Sequence, residues 1–200
     1  GKRGPIPTDA KPDTQITIEG GIWTTLATSP TQSNGNVHGR SARRPVVPSC
    51  HGVIILSNVR GVAIRNVVVR QSRAHAVQLS NCREFLVEGV LFDEHRRDGI
   101  HVNGPASYGI IRDIRGVTGD DFVALNAWDW RNYSVSFGPI ADVRIERVVA
   151  NPQPQKGVAD TIRLSGLSVP ILVQAYPDDV TAFTLDRRRD SFCGKISVCS

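Results

Sequence analysis

The most constraining feature of the sequence is a repeat with a period of 23 residues. Four short apolar segments end at Leu56, Leu79, Val102 and Leu125, and a fifth ends at Leu164 after a longer step. A fixed period between about 20 and 50 residues is typical of solenoid proteins. The chain is therefore expected to stack similar units on one another.

Within each repeat the residue types alternate as they do in a half-buried strand. The position two before each segment end is always β-branched, whereas the next position varies; the β-branched series is Ile54, Val77, Ile100, Val123 and Ile162. Alternation with a period of two places one series inward and the other outward. Two further apolar triplets follow in each repeat, so the pattern predicts an all-β fold, a parallel β-helix with three short strands per coil of about 23 residues. The asparagine-centred consensus of leucine-rich repeats is absent.

The repeat also suggests how the chain is divided. Residues 1–166 are predicted to form the β-helix domain, and residues 167–200 a tail or cap that adds no coil in register. An aromatic insertion at 127–139 interrupts the period and carries Trp128 and Trp130.

Charge and cysteine content narrow the classes of function only slightly. The formal net charge of +5 favours anionic partners, but the sequence lacks an RNA-binding or zinc-finger signature. The four cysteines lack CxxC spacing, allow three disulfide pairings and indicate neither a zinc nor a redox site. No apolar stretch approaches the roughly 20 residues that span a bilayer. Nucleic acid, membrane and metal are therefore not expected as partners.

Acidic residues collect in one column of the repeat. Counting four residues back from each segment end gives Gly52, His75, Asp98, Asp121 and Asp160, and Asp120 precedes Asp121 directly. Stacked parallel strands lie about 4.8 Å apart, so Asp98 and Asp121 are expected to be neighbours. Such acids could simply cap turns. Two adjacent acids exceed what a turn requires, however, and paired carboxylates are the groups that glycoside hydrolysis uses.

Two motifs in this column resemble those of glycoside hydrolase family 28, the polygalacturonases and related pectin-degrading enzymes. The segment 97–102 is similar to the family's Asn-Thr-Asp-Gly motif, and 119–125 to its Gly-Asp-Asp motif. The resemblance extends from about Gln15 to Leu164 and implies a right-handed parallel β-helix. It also implies an inverting hydrolase without a cofactor, in which Asp120 is the general acid while Asp98 and Asp121 activate water. Inversion predicts that Asp120 lies roughly 6.5 to 9.5 Å from at least one of the other two carboxylates.

Further residues are expected to bind the substrate. They are either outward-facing positions of the repeat, neighbours of the acids, or aromatic residues that could stack on a sugar ring: His101, Gln78, Arg163, Asp160, Arg97, Trp128 and Trp130. Each has an alternative as a solvated or packing residue, and His75 could tune Asp98 or merely satisfy a turn.

Two other functions stay open at this stage. A β-helix polysaccharide lyase would use the acids to bind Ca²⁺, which takes six to eight oxygen ligands. A non-catalytic carbohydrate-binding β-helix is suggested because Val158-Ala159-Asp160-Thr161 stands where the family has Gly-His-Gly. For the hydrolase and for the lyase alike, the expected partner is a polysaccharide. The protein is expected to be a secreted, extracellular monomer.

Overall fold

The computed structural model describes residues 11–24, 52–72, 75–95, 97–127, 136 and 138–149, together with the backbone of short strands between 150 and 198. Every regular element among these residues is a strand, and none is a helix. Ten strands lie between Asp13 and Ala150: β1 (Asp13–Glu19), β2 (Ile22–Trp23), β3 (Gly52–Ser57), β4 (Val59–Arg65), β5 (Val68–Arg70), β6 (His75–Glu88), β7 (Leu91–Asp93), β8 (Ile100–Gly116), β9 (Val123–Asn126) and β10 (Ile140–Ala150). Four more follow: β11 (Ile162–Ser165), β12 (Ile171–Ala175), β13 (Thr184–Leu185) and β14 (Ile196–Val198).

All the strands pair in parallel, and the pairing follows the sequence repeat. Ile54 lies opposite Val77, Val77 opposite Ile100, and Ile100 opposite Val123, each one repeat further along the chain. Ile162 then lies opposite Val123, across the longer step. The predicted register is therefore confirmed.

The predicted fold class, a right-handed parallel β-helix, is wrong. The strands belong to one hydrogen-bonded parallel sheet that curls into a half-barrel. The sequence suggested three short strands per repeat, but β6 and β8 run through the expected breaks for 14 and 17 residues. Single residues with positive φ, such as Asn81 and Tyr108, bend these strands without ending them.

The core consists of stacked columns of buried, mostly aliphatic side chains. Ile64, Val87, Ile111 and Ile145 form one such column across β4, β6, β8 and β10, and each is fully buried. Close-packed columns of this kind fix the register, because a slip of one residue would turn every inward side chain outward.

The segment after residue 166 extends the sheet. Strand β12 pairs with β10, β14 with β12, and β13 with β11. Residues 167–200 were expected to add no coil in register, and the pairing of these strands with the preceding ones shows that expectation to be wrong. The division into domains at residue 166 stays a prediction. Among the described residues no helix is long and apolar enough to cross a membrane. Cys82 is a buried free cysteine, and burial raises the pKa of its thiol.

Candidate active site

Parallel pairing brings His75, Asp98 and Asp121 into one row, in which His75 is the first residue of β6 and the two aspartates come two residues before β8 and β9. The amide of Ala76 donates to the carbonyl of Asp98 at 3.0 Å, and the amide of Gly99 donates to that of Asp121 at 2.8 Å. Gly99 fits here because a Cβ at this position would overlap the Phe92 ring and the carbonyl of Phe122. The predicted contact between Asp98 and Asp121 is confirmed.

Three carboxylates converge at this row. One oxygen from each of Asp98, Asp120 and Asp121 lies within 4.8 Å of the other two. Asp98 and Asp121 are buried, whereas the Asp120 side chain is 40% exposed and lies 3.6 Å from Nη1 of Arg97. Asp120 is therefore the carboxylate of this cluster that solvent and small molecules can reach.

Two imidazoles meet the buried Asp98 carboxylate. Nδ1 of His101 lies 2.6 Å from Oδ2 of Asp98, Nε2 of His75 lies 3.5 Å from the same oxygen, and the two rings stack at 4.1 Å. Burial by itself would raise the pKa of Asp98. The His75 ring, the His101 hydrogen bond and Arg97 outweigh burial and hold that pKa well below its usual range. Asp98 is thus maintained as a carboxylate.

A third histidine supports the backbone of Asp98. Nε2 of His95 donates to the Asp98 carbonyl at 2.8 Å, and the ring packs against Phe92. Burial lowers the pKa of His95 to about 4, so the ring is neutral at physiological pH.

Buried amides complete the polar network on the far side of His101. Nε2 of His101 lies 3.2 Å from Nδ2 of Asn126 and 3.4 Å from Nδ2 of Asn103. The carbonyl oxygen of Asn103 in turn accepts from Nε2 of Gln78 at 3.1 Å and from the Ser80 hydroxyl at 3.3 Å. The network therefore crosses three neighbouring strands, β6, β8 and β9.

Two overlapping groups contain enough donors to hold a metal ion, and they share Asp98. One is His75, Asp98 and His101, and the other is Asp98, Asp120 and Asp121. The separation of 2.6 Å between Nδ1 of His101 and Oδ2 of Asp98 is that of a short, charge-assisted hydrogen bond. A shared proton therefore suits the first group better than a metal, while the second offers only carboxylate oxygens, which suit hard cations.

The structure places the predicted binding residues unevenly. Arg97 lies beside Asp120, but Gln78 and His101 are buried instead of lining an open surface. The backbone of Arg163 lies opposite Ala124, and its side chain falls outside the described residues, as do Asp160, Trp128 and Trp130.

Sequence reasoning missed Asn103 and Asn126. Both belong to a column of small polar residues that directly follows each apolar segment: Ser57, Ser80, Asn103, Asn126 and Ser165. This recurrence was the feature of the sequence that could have revealed the two asparagines. A polar residue that recurs after each apolar segment needs a hydrogen-bonding partner once it is buried.

The three carboxylates lie close together. Inverting glycosidases hold their acid and base roughly 6.5 to 9.5 Å apart to admit a water molecule. Here one carboxylate oxygen of each aspartate lies within 4.8 Å of one oxygen of the other two. This distance joins single oxygens and not whole carboxyl groups, so the expected separation of Asp120 from the other two acids stays a prediction.

Comparison with known proteins gives a different assignment. Residues 145–200 match the family model for the N-terminal domain of fucose/sulfoquinovose isomerase. No curated protein and no solved structure matches the chain significantly. The match contradicts the resemblance to glycoside hydrolase family 28. The match also points away from the three predicted functions, which are hydrolysis of a polysaccharide, its cleavage by a lyase, and non-catalytic carbohydrate binding. Nothing supports pectin degradation. The expected monomeric state and extracellular location stay predictions, and the matched family is one of isomerases.

Proposed function

We propose that the protein is an isomerase that moves a proton between adjacent carbons of a sugar or a similar hydroxy-carbonyl compound. The observation that carries the proposal is the convergence of three carboxylate oxygens within 4.8 Å, with Asp120 on the accessible side. The family match to fucose/sulfoquinovose isomerase over residues 145–200 supports the choice of reaction.

The reaction requires groups that carry protons at two positions of the substrate. Converting an aldose into a ketose moves one hydrogen from C2 to C1 and one from the C2 hydroxyl to the C1 carbonyl oxygen. A base removes the C2 proton to give an enediol, and the same group then delivers a proton to C1, either the original one or one that it has exchanged with solvent. A second group moves the proton between the two oxygens, so atoms and charge balance.

The geometry suggests a role for each residue. Asp120 is accessible and is assigned as the base at carbon, since a general base must come within hydrogen-bonding reach of the proton it removes. Asp121 is assigned to proton exchange at oxygen. Arg97, 3.6 Å from Asp120, supplies positive charge where the enediol oxygens become negative. Asp98 stays ionised and accepts a hydrogen bond from a substrate hydroxyl.

Hydrogen exchange tests this proposal directly. The protein is incubated in D₂O with fucose, sulfoquinovose and a panel of common aldoses, and NMR follows deuterium at C2 and the appearance of the ketose. We expect exchange with at least one sugar, and a loss of about 10²- to 10⁴-fold in Asp120→Asn. Asp113→Asn is the matched control, because Asp113 pairs with Arg147 at the surface. Absence of exchange on every sugar, or an Asp120→Asn variant as active as the control, would contradict the proposal.

A further inference from the structure

Two aspartates of the site are held through their backbone carbonyls by buried side chains. Nε2 of His95 lies 2.8 Å from the carbonyl oxygen of Asp98, and Oγ1 of Thr118 lies 2.6 Å from that of Asp120. A carbonyl oxygen only accepts hydrogen bonds, so the imidazole N–H and the threonine hydroxyl must be the donors. His95 is 1% exposed and Thr118 is 5% exposed. Both donors therefore lie in the interior, where water does not readily replace them.

The backbone joins the two donors to each other. His95 belongs to the segment between β7 and β8, and Thr118 to the segment between β8 and β9. The amide of His95 donates to the carbonyl of Val117 at 3.2 Å, and the amide of Val117 donates to that of Phe92 at 2.9 Å. Val117 directly precedes Thr118, so the two segments are joined beside the residues that hold the two aspartates.

We infer that His95 and Thr118 are positioning residues, which hold the backbone of Asp98 and Asp120 and so set the spacing of their carboxylates. Each donor holds a carbonyl that is bonded to the same Cα as the aspartate side chain, so a rotation of that peptide displaces the carboxylate. One oxygen of each carboxylate lies within 4.8 Å of the other. Groups that act together on one substrate must be held within roughly 0.5 Å of their working positions.

The catalytic consequence rests on the proposed isomerase function, whereas the position of the aspartates does not. The amide of Ala76 also donates to the Asp98 carbonyl, at 3.0 Å. A variant without the His95 donor therefore keeps that carbonyl bonded and is expected to fold. A single donor leaves the peptide free to rotate, however, and Asp98 can then shift. Because neither positioning residue is assigned a contact with the substrate, the loss should fall on kcat and leave KM nearly unchanged.

Paired substitutions separate the hydrogen bond from the shape of each side chain. Thr118→Val removes the hydroxyl and Thr118→Ser keeps it, while His95→Leu removes the N–H and His95→Gln keeps a donor at Nε2. In the assay with the sugar that the wild type converts, we expect the valine and leucine variants to lose about tenfold or more in kcat, with KM changed by less than about twofold, because a misplacement of about 1 Å can cost roughly 100-fold. The serine and glutamine variants are expected to retain most of the wild-type kcat.

Two measurements are independent of activity. Two-bond ¹H–¹⁵N correlation NMR on the full chain labelled at histidine should show a proton on Nε2 of His95 in the wild type, and His95→Gln identifies the resonances. Crystal structures of the four variants, superposed on β8 and β9, should show Asp98 displaced in His95→Leu and Asp120 displaced in Thr118→Val. The glutamine and serine variants should keep both aspartates in place.

The outcomes separate this inference from the proposed function. An unprotonated Nε2 on His95, or aspartates that stay in place in both the leucine and the valine variants, would overturn the inference. Serine and glutamine variants as impaired as their partners, or a loss confined to KM, would also contradict positioning. If one of the two donor-removing variants does not fold, the other carries the same test. A wild type that isomerises no sugar would overturn the isomerase proposal, while the NMR spectrum and the crystal structures still decide whether His95 and Thr118 hold the aspartates.

Discussion

At the scale of single residues, His95 links the stability of the fold to pH. Its folded-state pKa is about 4, against a usual value of 6.5, because burial disfavours the charged ring. The unfolded chain therefore binds a proton between these values that the folded chain does not. Above pH 6.5 the neutral His95 ring makes its full contribution to the free energy of unfolding, and this contribution is lost as the pH falls from 6.5 towards 4.

This asymmetry predicts a measurable difference between the wild type and His95→Gln. The difference between a pKa of 6.5 in the unfolded chain and one of about 4 in the folded chain corresponds to roughly 3 kcal/mol. We expect urea unfolding of the wild type to show that loss between pH 6.5 and 4, and the variant to show a correspondingly smaller decrease. Measurements at pH 8 give the packing cost of the substitution separately. Parallel pH profiles for the two proteins would contradict the assignment.

Residues of the site were predictable where they depend on the repeat and unpredictable where they depend on burial. The period of 23 brings Asp98 beside Asp121, and this contact needs only the register. The same alternation places Gln78 and His101 on the outer face, where sequence reasoning expected them to meet a sugar. They are instead buried and hydrogen-bonded within the network of amides. Alternation distinguishes the two faces of a strand but does not reveal whether the outer face is covered.

At the scale of elements, the sheet continues across residues at which the chain bends. Asn81 lies within β6, and Asn58 separates β3 from β4, which both pair with β6. Asn58 and Asn81 have φ of 57° and 52°, and Nδ2 of Asn81 donates to Oδ1 of Asn58 at 2.9 Å. Asparagine tolerates this conformation better than most residues. The sequence marks these positions as turns, and a turn is expected to end a strand. Here the ladder continues beyond the bend, which explains why the strand lengths and the fold class were not predicted.

A second buried column across β4, β6, β8 and β10 shows how side chains on neighbouring strands share the space between them. Phe85 lies opposite Gly109, and a Cβ on Gly109 would overlap the Phe85 ring. A large side chain on one strand is therefore accommodated by the absence of one on the next. The structure gives no positive φ for this glycine, so its role is to leave space.

A double-mutant cycle measures this complementarity. We expect Gly109→Ala to destabilise the fold by about 1 to 3 kcal/mol, as overpacking of a core does. Phe85→Leu replaces the ring with a smaller side chain and so relieves the overlap. The double variant should therefore lose less free energy of unfolding than the sum of the two single variants. Urea unfolding at constant pH gives the four free energies. Additive losses within about 0.5 kcal/mol would show that the two positions do not compete for space.

At the scale of the whole molecule, the basic residues of the described surface are largely paired with acids one repeat away. Arg60 pairs with Glu84, Arg70 with Asp93, and Arg112 with Glu88, at 2.6 to 2.9 Å. Exposed pairs of this kind contribute little to stability, because water screens the two charges. Their consequence is local neutralisation: the net charge of +5 is weaker support for an anionic partner than the composition suggested.

The last four strands connect the family match to the sheet. Residues 145–200 contain both the segment similar to the isomerase domain and the strands that extend the sheet beyond β10. Because β12 pairs with β10 and β14 with β12, removing 167–200 would leave the β10 edge without its partner strand. Unpaired edges are available for association with other chains.

A truncation after residue 166 is therefore expected to lower the melting temperature and to produce soluble aggregates. Calorimetry and size-exclusion chromatography with light scattering measure the two effects, and truncation after Val198 is the control, since it removes no residue of β14. If 167–200 were a tail independent of the sheet, the two truncated proteins would melt at the same temperature and stay equally dispersed. A lower melting temperature confined to the longer truncation would instead place the end of the folded unit beyond residue 166, because the removed segment contains β12, the strand that pairs with β10 and covers its edge.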